Sequence, residues 1–182
     1  MRKVSGVGVL AVAVMAWVLM VGVGTAQAPA PGPVVVIETN KGNITLETYP
    51  SEAPRTVENF LKLVKANFYN RQHFHRAEPG MVIQAGDPNS KDLQKKDSWG
   101  HSGSGQPIGV AEISKKLKHK RGTVAMANAG DAAKADSQFY IAIGKKGRIP
   151  EGKYAIFGQV TSGMDVVEKI EVGDTIRRMY VK

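Results

Sequence analysis

The sequence predicts a mainly β domain of eight strands and two helices, and three observations lead there. Its 182 residues, 42% of them hydrophobic, are enough for one domain with a real core and leave little for a second. Short runs rich in β-branched residues recur along the chain, with Gly, Pro and Asn between them. Only two stretches, one from Pro54 and one over 164–170, read as helical.

The elements follow in order. Residues 34–38 and 43–48 read as a hairpin around the turn Asn40-Lys41-Gly42. Pro54 suits a first helical position, and Val57, Phe60, Leu61 and Val64 share one helix face, with Lys62 and Lys65 near the end. That face should pack on a sheet. Residues 74–87 read as strand, turn and strand, because Pro79-Gly80 is a turn signal and 81–85 is apolar except for Gln84. Alternation puts Phe74 with Arg76 on one face and Val82 with Gln84 on one face. Residues 89–109, rich in Lys, Asp, Ser and Gly without periodicity, read as a long exposed loop. Further strands are expected at 123–127, 138–143, 155–160 and 175–181, with a polar connection over 130–136.

The amino terminus is separate. Arg2-Lys3 precedes an uncharged, mostly apolar stretch over 4–25, and Ala26-Gln27-Ala28 follows. A basic start, an apolar middle and an Ala-x-Ala end describe a signal peptide over residues 1–28, cleaved after Ala28; retained, the same stretch is long enough for a membrane anchor. Either way the domain is expected outside the cytoplasm, periplasmic or extracellular, or tethered to the outer face of the inner membrane. Pro29, Pro31 and Pro33 make residues 29–33 a stiff linker, leaving 34–182 as the domain. Formal net charge is +9; without Arg2 and Lys3 it is +7. Such a surface attracts anions non-specifically. With no cysteine, the chain has no disulfide, thiolate nucleophile or acylated-cysteine anchor.

The stretch that carries chemistry is Phe74-His75-Arg76-Ala77-Glu78-Pro79-Gly80-Met81-Val82-Ile83-Gln84-Ala85-Gly86-Asp87. An arginine is a donor only and stays charged, so among apolar groups it needs an acceptor from protein or substrate; alternatively it snorkels to water. The stretch resembles the Phe-His-Arg, Pro-Gly, Gln-x-Gly-Asp signature of the cyclophilins, which are peptidyl-prolyl cis-trans isomerases. Met126-Ala127-Asn128-Ala129-Gly130 and Ser137-Gln138-Phe139-Tyr140 resemble that family in the same order and at similar spacing. Resemblance extends over nearly all of 34–182 and is weakest over 89–109. It implies a closed eight-stranded antiparallel β-barrel with a helix over each open end. Eight strands enclose only enough space for side chains, so a site for a polypeptide must lie on the outer wall.

The resemblance implies rotation about X-Pro bonds, with Arg76 as the donor to the prolyl nitrogen. Substrate binding would fall to Met81, Gln84, Ala127, Asn128, Gln138, Phe139, Tyr140, Pro150 and Tyr154, together with the segment near Ile149. Gln84 would orient Arg76, and the backbone of Asn128 would pair with an extended chain. No metal or cofactor is needed, because no bond is broken. The partners expected are proline-containing polypeptides, and with no oligomerisation surface evident a monomer is expected. Met81 and Tyr140 stand where phenylalanines are usual in the family, Pro150 and Tyr154 where a leucine and a histidine are, and Ile149 at the position of a tryptophan tied to tight cyclosporin binding. A less aromatic pocket and weak cyclosporin sensitivity are expected. The alternative from another class is a module that only grips proline segments, in which Arg76 is dispensable.

Other signals fall short. Gly147-Arg148-Ile149-Pro150-Glu151-Gly152-Lys153 has P-loop spacing, but Tyr154 replaces the required Ser or Thr and a strand follows instead of a helix. His73 and His75 would share a strand face, yet two ligands without nearby carboxylates do not make a zinc site; packing or hydrogen bonding is expected. The basic run Lys115-Lys116-Leu117-Lys118-His119-Lys120-Arg121 has no aromatic residue for base stacking and reads as a solvated loop, so no specific nucleic-acid partner is expected.

Overall fold

The computed structural model describes Met1 and residues 29–144 and 149–182. Except for Met1, the expected leader lies outside the described residues, as do Gly147 and Arg148 of the P-loop-like stretch. Eight strands form one antiparallel sheet: β1 (Val34–Thr39), β2 (Gly42–Thr48), β3 (Arg76–Glu78), β4 (Val82–Ala85), β5 (Thr123–Met126), β6 (Phe139–Ala142), β7 (Ile156–Ser162) and β8 (Ile176–Val181). Their order is β3-β4-β6-β5-β7-β2-β1-β8. The helices are α1 (Pro54–Lys65) and the single turn α2 (Met164–Val167). The linker is engaged at its end, where the Gly32 N–H donates to Thr48 O and Thr48 donates to Pro33 O.

The expected closure is an overstatement, since the sheet is curled and its edge strands β3 and β8 do not pair. β3 is only three residues long, and the seam is stitched instead by the segment before it. There His73 bridges Thr175, Phe74 N–H donates to Asp174 O at 2.9 Å, and Ile176 N–H donates to Gln72 O at 2.8 Å. The same irregularity corrects the predicted sharing of a face by Phe74 and Arg76. Strand alternation begins only at Arg76, so Phe74 is fully buried in the interior while Arg76 is half-exposed.

Alternation along β4 to β7 fills the inside. Ile83, Ala85, Val124, Met126, Phe139, Ile141 and Phe157 join Val57, Phe60 and Val64 of α1 in one interior cluster. Leu63 of α1 is also buried, whereas Leu61 is only partly so. Phe60 sits 4.9–5.5 Å, centroid to centroid, from Tyr69, Phe139 and Phe157 in tilted or edge-on contacts. The barrel interior is therefore solid, as eight strands require.

The stretch expected to be an exposed loop is partly ordered. It holds short 3₁₀ helices at Pro88–Lys91 and Leu93–Ser98, and Ser90, Trp99 and Ile108 are buried. The cause lies just before it. The fully buried Asp87 carboxylate accepts from the N–H groups of Asn89 (2.7 Å), Gly100 (2.6 Å) and Ser102 (3.1 Å), pinning the segment at both ends. Further along, Asp136 accepts from the N–H groups of Ser104 (3.1 Å) and Gly105 (2.9 Å), and periodicity could not reveal a loop organised by distant side chains.

Candidate functional site

Sheet register assembles the site. Arg76 pairs with Gln84, Gln84 with Tyr140, Tyr140 with Ala125, and Ala125 with Ile156, so one row crosses β3, β4, β6, β5 and β7. Because neighbouring residues on each strand face inward, this row faces out. Val82, Ala125, Tyr140 and Ile156 form a second, smaller apolar cluster there, with Met81, Leu117, Ala127, Ile149 and Tyr154 packed against it. Arg76 stands at the end of that row. Pro79-Gly80 makes the turn that sets the β3–β4 register, with Gly80 at φ 69° and Met81 N–H donating to Glu78 O at 2.9 Å, a type II arrangement that favours glycine at its third residue.

A hollow of about 170 Å³ lies on this wall, lined by Arg76, Met81, Val82, Gln84, Ala127, Asn128, Tyr140, Ile149, Pro150 and Tyr154. Eight of the ten residues expected at the site thus meet around one depression. Gln138 sits behind it: Gln84 donates to Gln138 Oε1 at 2.8 Å, and Gln138 donates to Gly100 O (2.9 Å) and Ser102 O (2.8 Å). It lines an adjoining hollow of about 440 Å³ that shares Gln84, Ala127 and Asn128. Phe139 is the correction. It is fully buried in the interior cluster, because its neighbour Tyr140 takes the outward position.

The guanidinium of Arg76 is fixed on one side and open on the other. Nη1 donates to Gln84 Oε1 at 3.2 Å, while Nε and Nη2 each lie 2.7 Å from Glu78 Oε1. Among the described residues three of its five N–H donors are engaged, which leaves two. Glu78 is an ion-pair partner that the sequence reading passed over, although alternation from Arg76 places it on the same face. Val82 lines the hollow on the face it shares with Gln84, as alternation predicts. The Asn128 side chain donates to Lys153 O at 3.0 Å; among the described residues its backbone N–H and C=O have no backbone partner.

Two titratable groups near the site are shifted by burial. Tyr140 is pushed well up, first by burial and then by Tyr154 and Glu151, with Arg76 opposing. His75 is lowered from its ordinary 6.5, burial outweighing the opposing influence of Asp87 and Gln138. Among the described residues its buried ring nitrogens have no well-formed hydrogen bond. His73 packs as expected, stacked on Trp99 at 5.3 Å and bonded to Ser90 O. Among the described residues no three His, Asp or Glu side chains gather as a metal site would require, and no helix is long and apolar enough to cross a membrane.

Comparisons with known proteins point one way. Residues 34–181 match the family model for cyclophilin type peptidyl-prolyl cis-trans isomerase/CLD. A peptidyl-prolyl cis-trans isomerase of Helicobacter pylori is 39% identical over 142 residues, covering 77% of this chain and 81% of that protein. A peptidyl-prolyl cis-trans isomerase-like 4 of Gibberella zeae is 40% identical over 149 residues, covering 75% of this chain but only 30% of that protein's length. Among solved structures, a cyclophilin type peptidyl-prolyl cis-trans isomerase of Cryptosporidium parvum superposes with a TM-score of 0.71 at 27% identity, covering 82% of this chain and 97% of the other. A second structure of that protein, in the presence of the dipeptide ala-pro, gives 0.70.

Proposed function

The chain belongs to the cyclophilin-type peptidyl-prolyl cis-trans isomerases and is an isomerase of that activity; from that premise we propose that Arg76 supplies the catalytic hydrogen bond and that the enzyme works on exported proteins. An X-Pro peptide bond has partial double-bond character, and rotation about it meets a barrier of about 18–20 kcal/mol. As the bond twists, resonance is lost and the prolyl nitrogen becomes pyramidal with a free lone pair. A donor aimed there bonds the transition state and not the planar ground state.

The observation that carries this reading is a guanidinium with two donors to spare at the rim of an apolar hollow of about 170 Å³. Met81, Val82, Tyr140, Ile149 and Tyr154 offer the prolyl ring carbon surface, and Gln84 holds Arg76 toward it. The unpaired backbone of Asn128 suits an extended substrate chain. An acceleration of roughly 10⁵-fold needs only about 7 kcal/mol of selective stabilisation, within reach of a charged hydrogen bond in a site that excludes water. Substrates are then proline-containing polypeptides, bound by a monomer, without a specific nucleic-acid partner.

The test is cis-to-trans relaxation of a short Ala-Pro peptide with wild type and Arg76→Ala. The expected loss is on the order of 10²-fold in kcat, with a smaller change in KM, as for an interaction made mainly in the transition state. Equal rates would remove Arg76 from the mechanism. Export rests on the basic, apolar and Ala-x-Ala order of residues 1–28. Mass determination of the amino terminus from the secreted or periplasmic fraction should give a chain starting at Pro29, and a chain retaining Met1 in the cytoplasmic fraction would overturn export.

A further inference from the structure

His119 and Glu151, linked to the pocket residue Tyr140 by hydrogen bonds, have no part in the reaction so far. His119, from the basic run expected to be solvated, is only 4% exposed. Its Nε2 lies 2.8 Å from the Tyr140 hydroxyl, its Nδ1 lies 3.3 Å from Glu151 Oε2, and its backbone N–H donates to Glu151 Oε1 at 3.0 Å. The imidazole stacks on Tyr140 with 16° between planes, and Tyr154 meets both rings edge-on. A carboxylate can only accept, so Nδ1 carries a proton toward Glu151, and in the tautomer protonated there alone Nε2 accepts from the Tyr140 O–H. Burial keeps that hydroxyl protonated and therefore a donor. The bonds run in one direction, from Tyr140 through His119 to Glu151.

Two consequences reach the hollow. The one polar atom of Tyr140 is engaged behind the wall, so a ligand meets the carbon face of its ring. Glu151 belongs to the short segment that carries Ile149, Pro150 and Tyr154, the far side of the hollow, and its carboxylate ties that segment to His119 and, through it, to Tyr140 of the sheet. The bond from Asn128 to Lys153 O is a second tie, made from the opposite edge.

We propose that Glu151, His119 and Tyr140 form a single hydrogen-bonded strut that sets the width and the apolar character of the proline pocket, so that Glu151 and His119 are positioning residues for substrate binding. This rests on the reading that the hollow takes the prolyl ring. Arg76 lies two strands from Tyr140 along the outward row, and among the described residues its guanidinium bonds Glu78 and Gln84, not the strut. Loosening the strut should weaken binding of the ring while leaving the donor to the nitrogen in place.

The experiment measures kcat and KM for a short Ala-Pro peptide with wild type, Glu151→Gln, Glu151→Ala, Tyr140→Phe and the Glu151→Ala/Tyr140→Phe pair. Glu151→Ala should raise KM about tenfold with kcat within about twofold, the scale expected when a buried polar group loses its partner. Glu151→Gln, which can still bond the imidazole, should stay within about threefold of wild type. The double variant should be no worse than Glu151→Ala, because both changes cut one chain of bonds. An unchanged KM in Glu151→Ala, a fall confined to kcat, or additive effects in the pair would overturn the strut. Binding of the same peptide with alanine in place of proline is the control on the underlying reading. Wild type binding both equally well would overturn the proline pocket, and the strut's role with it, even with kcat still sensitive to Arg76→Ala.

Discussion

Phe139 and Tyr140 are adjacent on β6 and have opposite fates. The first joins Phe60, Tyr69 and Phe157 in an aromatic interior with no exposure, and the second joins Val82, Ala125 and Ile156 on the outer wall beside Arg76. One set of strands supplies both surfaces, because successive side chains point to opposite faces of a sheet. The interior is filled to hold the sheet in its curl, whereas on the outer wall the apolar members of the row are covered and the exposure falls on Met81, Ile149, Pro150 and Tyr154 around the hollow. The lesson is a division of labour: stability resides on one face of each strand and chemistry on the other.

The sharpest way to break that comparison is to cut each face in turn. Phe139→Ala should lower unfolding free energy by about 3–5 kcal/mol, read by urea denaturation, while kcat/KM of the remaining folded protein stays near wild type. Arg76→Ala should do the reverse. Its loss of activity on the order of 10²-fold corresponds to about 2.7 kcal/mol at the transition state, with stability moving by no more than about 0.5 kcal/mol. A large fall in stability for Arg76→Ala, measured by the same denaturation, would mean that the two faces are not separable.

Two smaller effects sharpen it. Glu78 holds Arg76 in a half-exposed ion pair, and such pairs contribute up to about 1 kcal/mol, so Glu78→Gln should lower kcat by no more than about fivefold without changing stability. Kinetic assays would register this as a change in kcat at constant KM. His75, under the loop pinned by Asp87, has its pKa lowered by burial. Below 6.5 the unfolded chain then binds more protons than the folded one, so stability falls as pH drops from 6.5 toward the lowered value and is flat above it. The urea midpoint should drop as pH falls below 6.5, and His75→Asn should flatten that dependence.

How much of this was legible depends on the range of the interaction. The hairpin β1–β2, helix α1 and the β3–β4 turn were readable because their signals lie within a few residues of each other. Arg76, Gln84, Asn128 and Tyr140 were readable as a set from the resemblance of three short motifs. Phe139 was misassigned to the pocket although alternation from Tyr140 would have turned it inward, and Glu78 was passed over although alternation from Arg76 would have turned it out. His119 gave no such signal. Its partners Tyr140 and Glu151 are 21 and 32 residues away, and a lysine-rich run reads as solvated wherever it occurs. The order in residues 88–104 was hidden for a similar reason, since it depends on Asp87 reaching an N–H group 15 residues ahead and on Asp136 reaching one 32 residues back.

By itself the amino-acid sequence determined the β content, the outward arginine with its carboxamide partner, and the motifs that mark the family, because these depend on side-chain alternation and local turn chemistry. Tertiary structure alone decided that the sheet curls without its edge strands pairing, that Gln138 braces Gln84 from behind the hollow, and that a histidine from a basic loop is buried beneath the pocket. Those outcomes are fixed by how distant strands meet and by which polar groups lose their water when they do, and neither is written in any short stretch of residues.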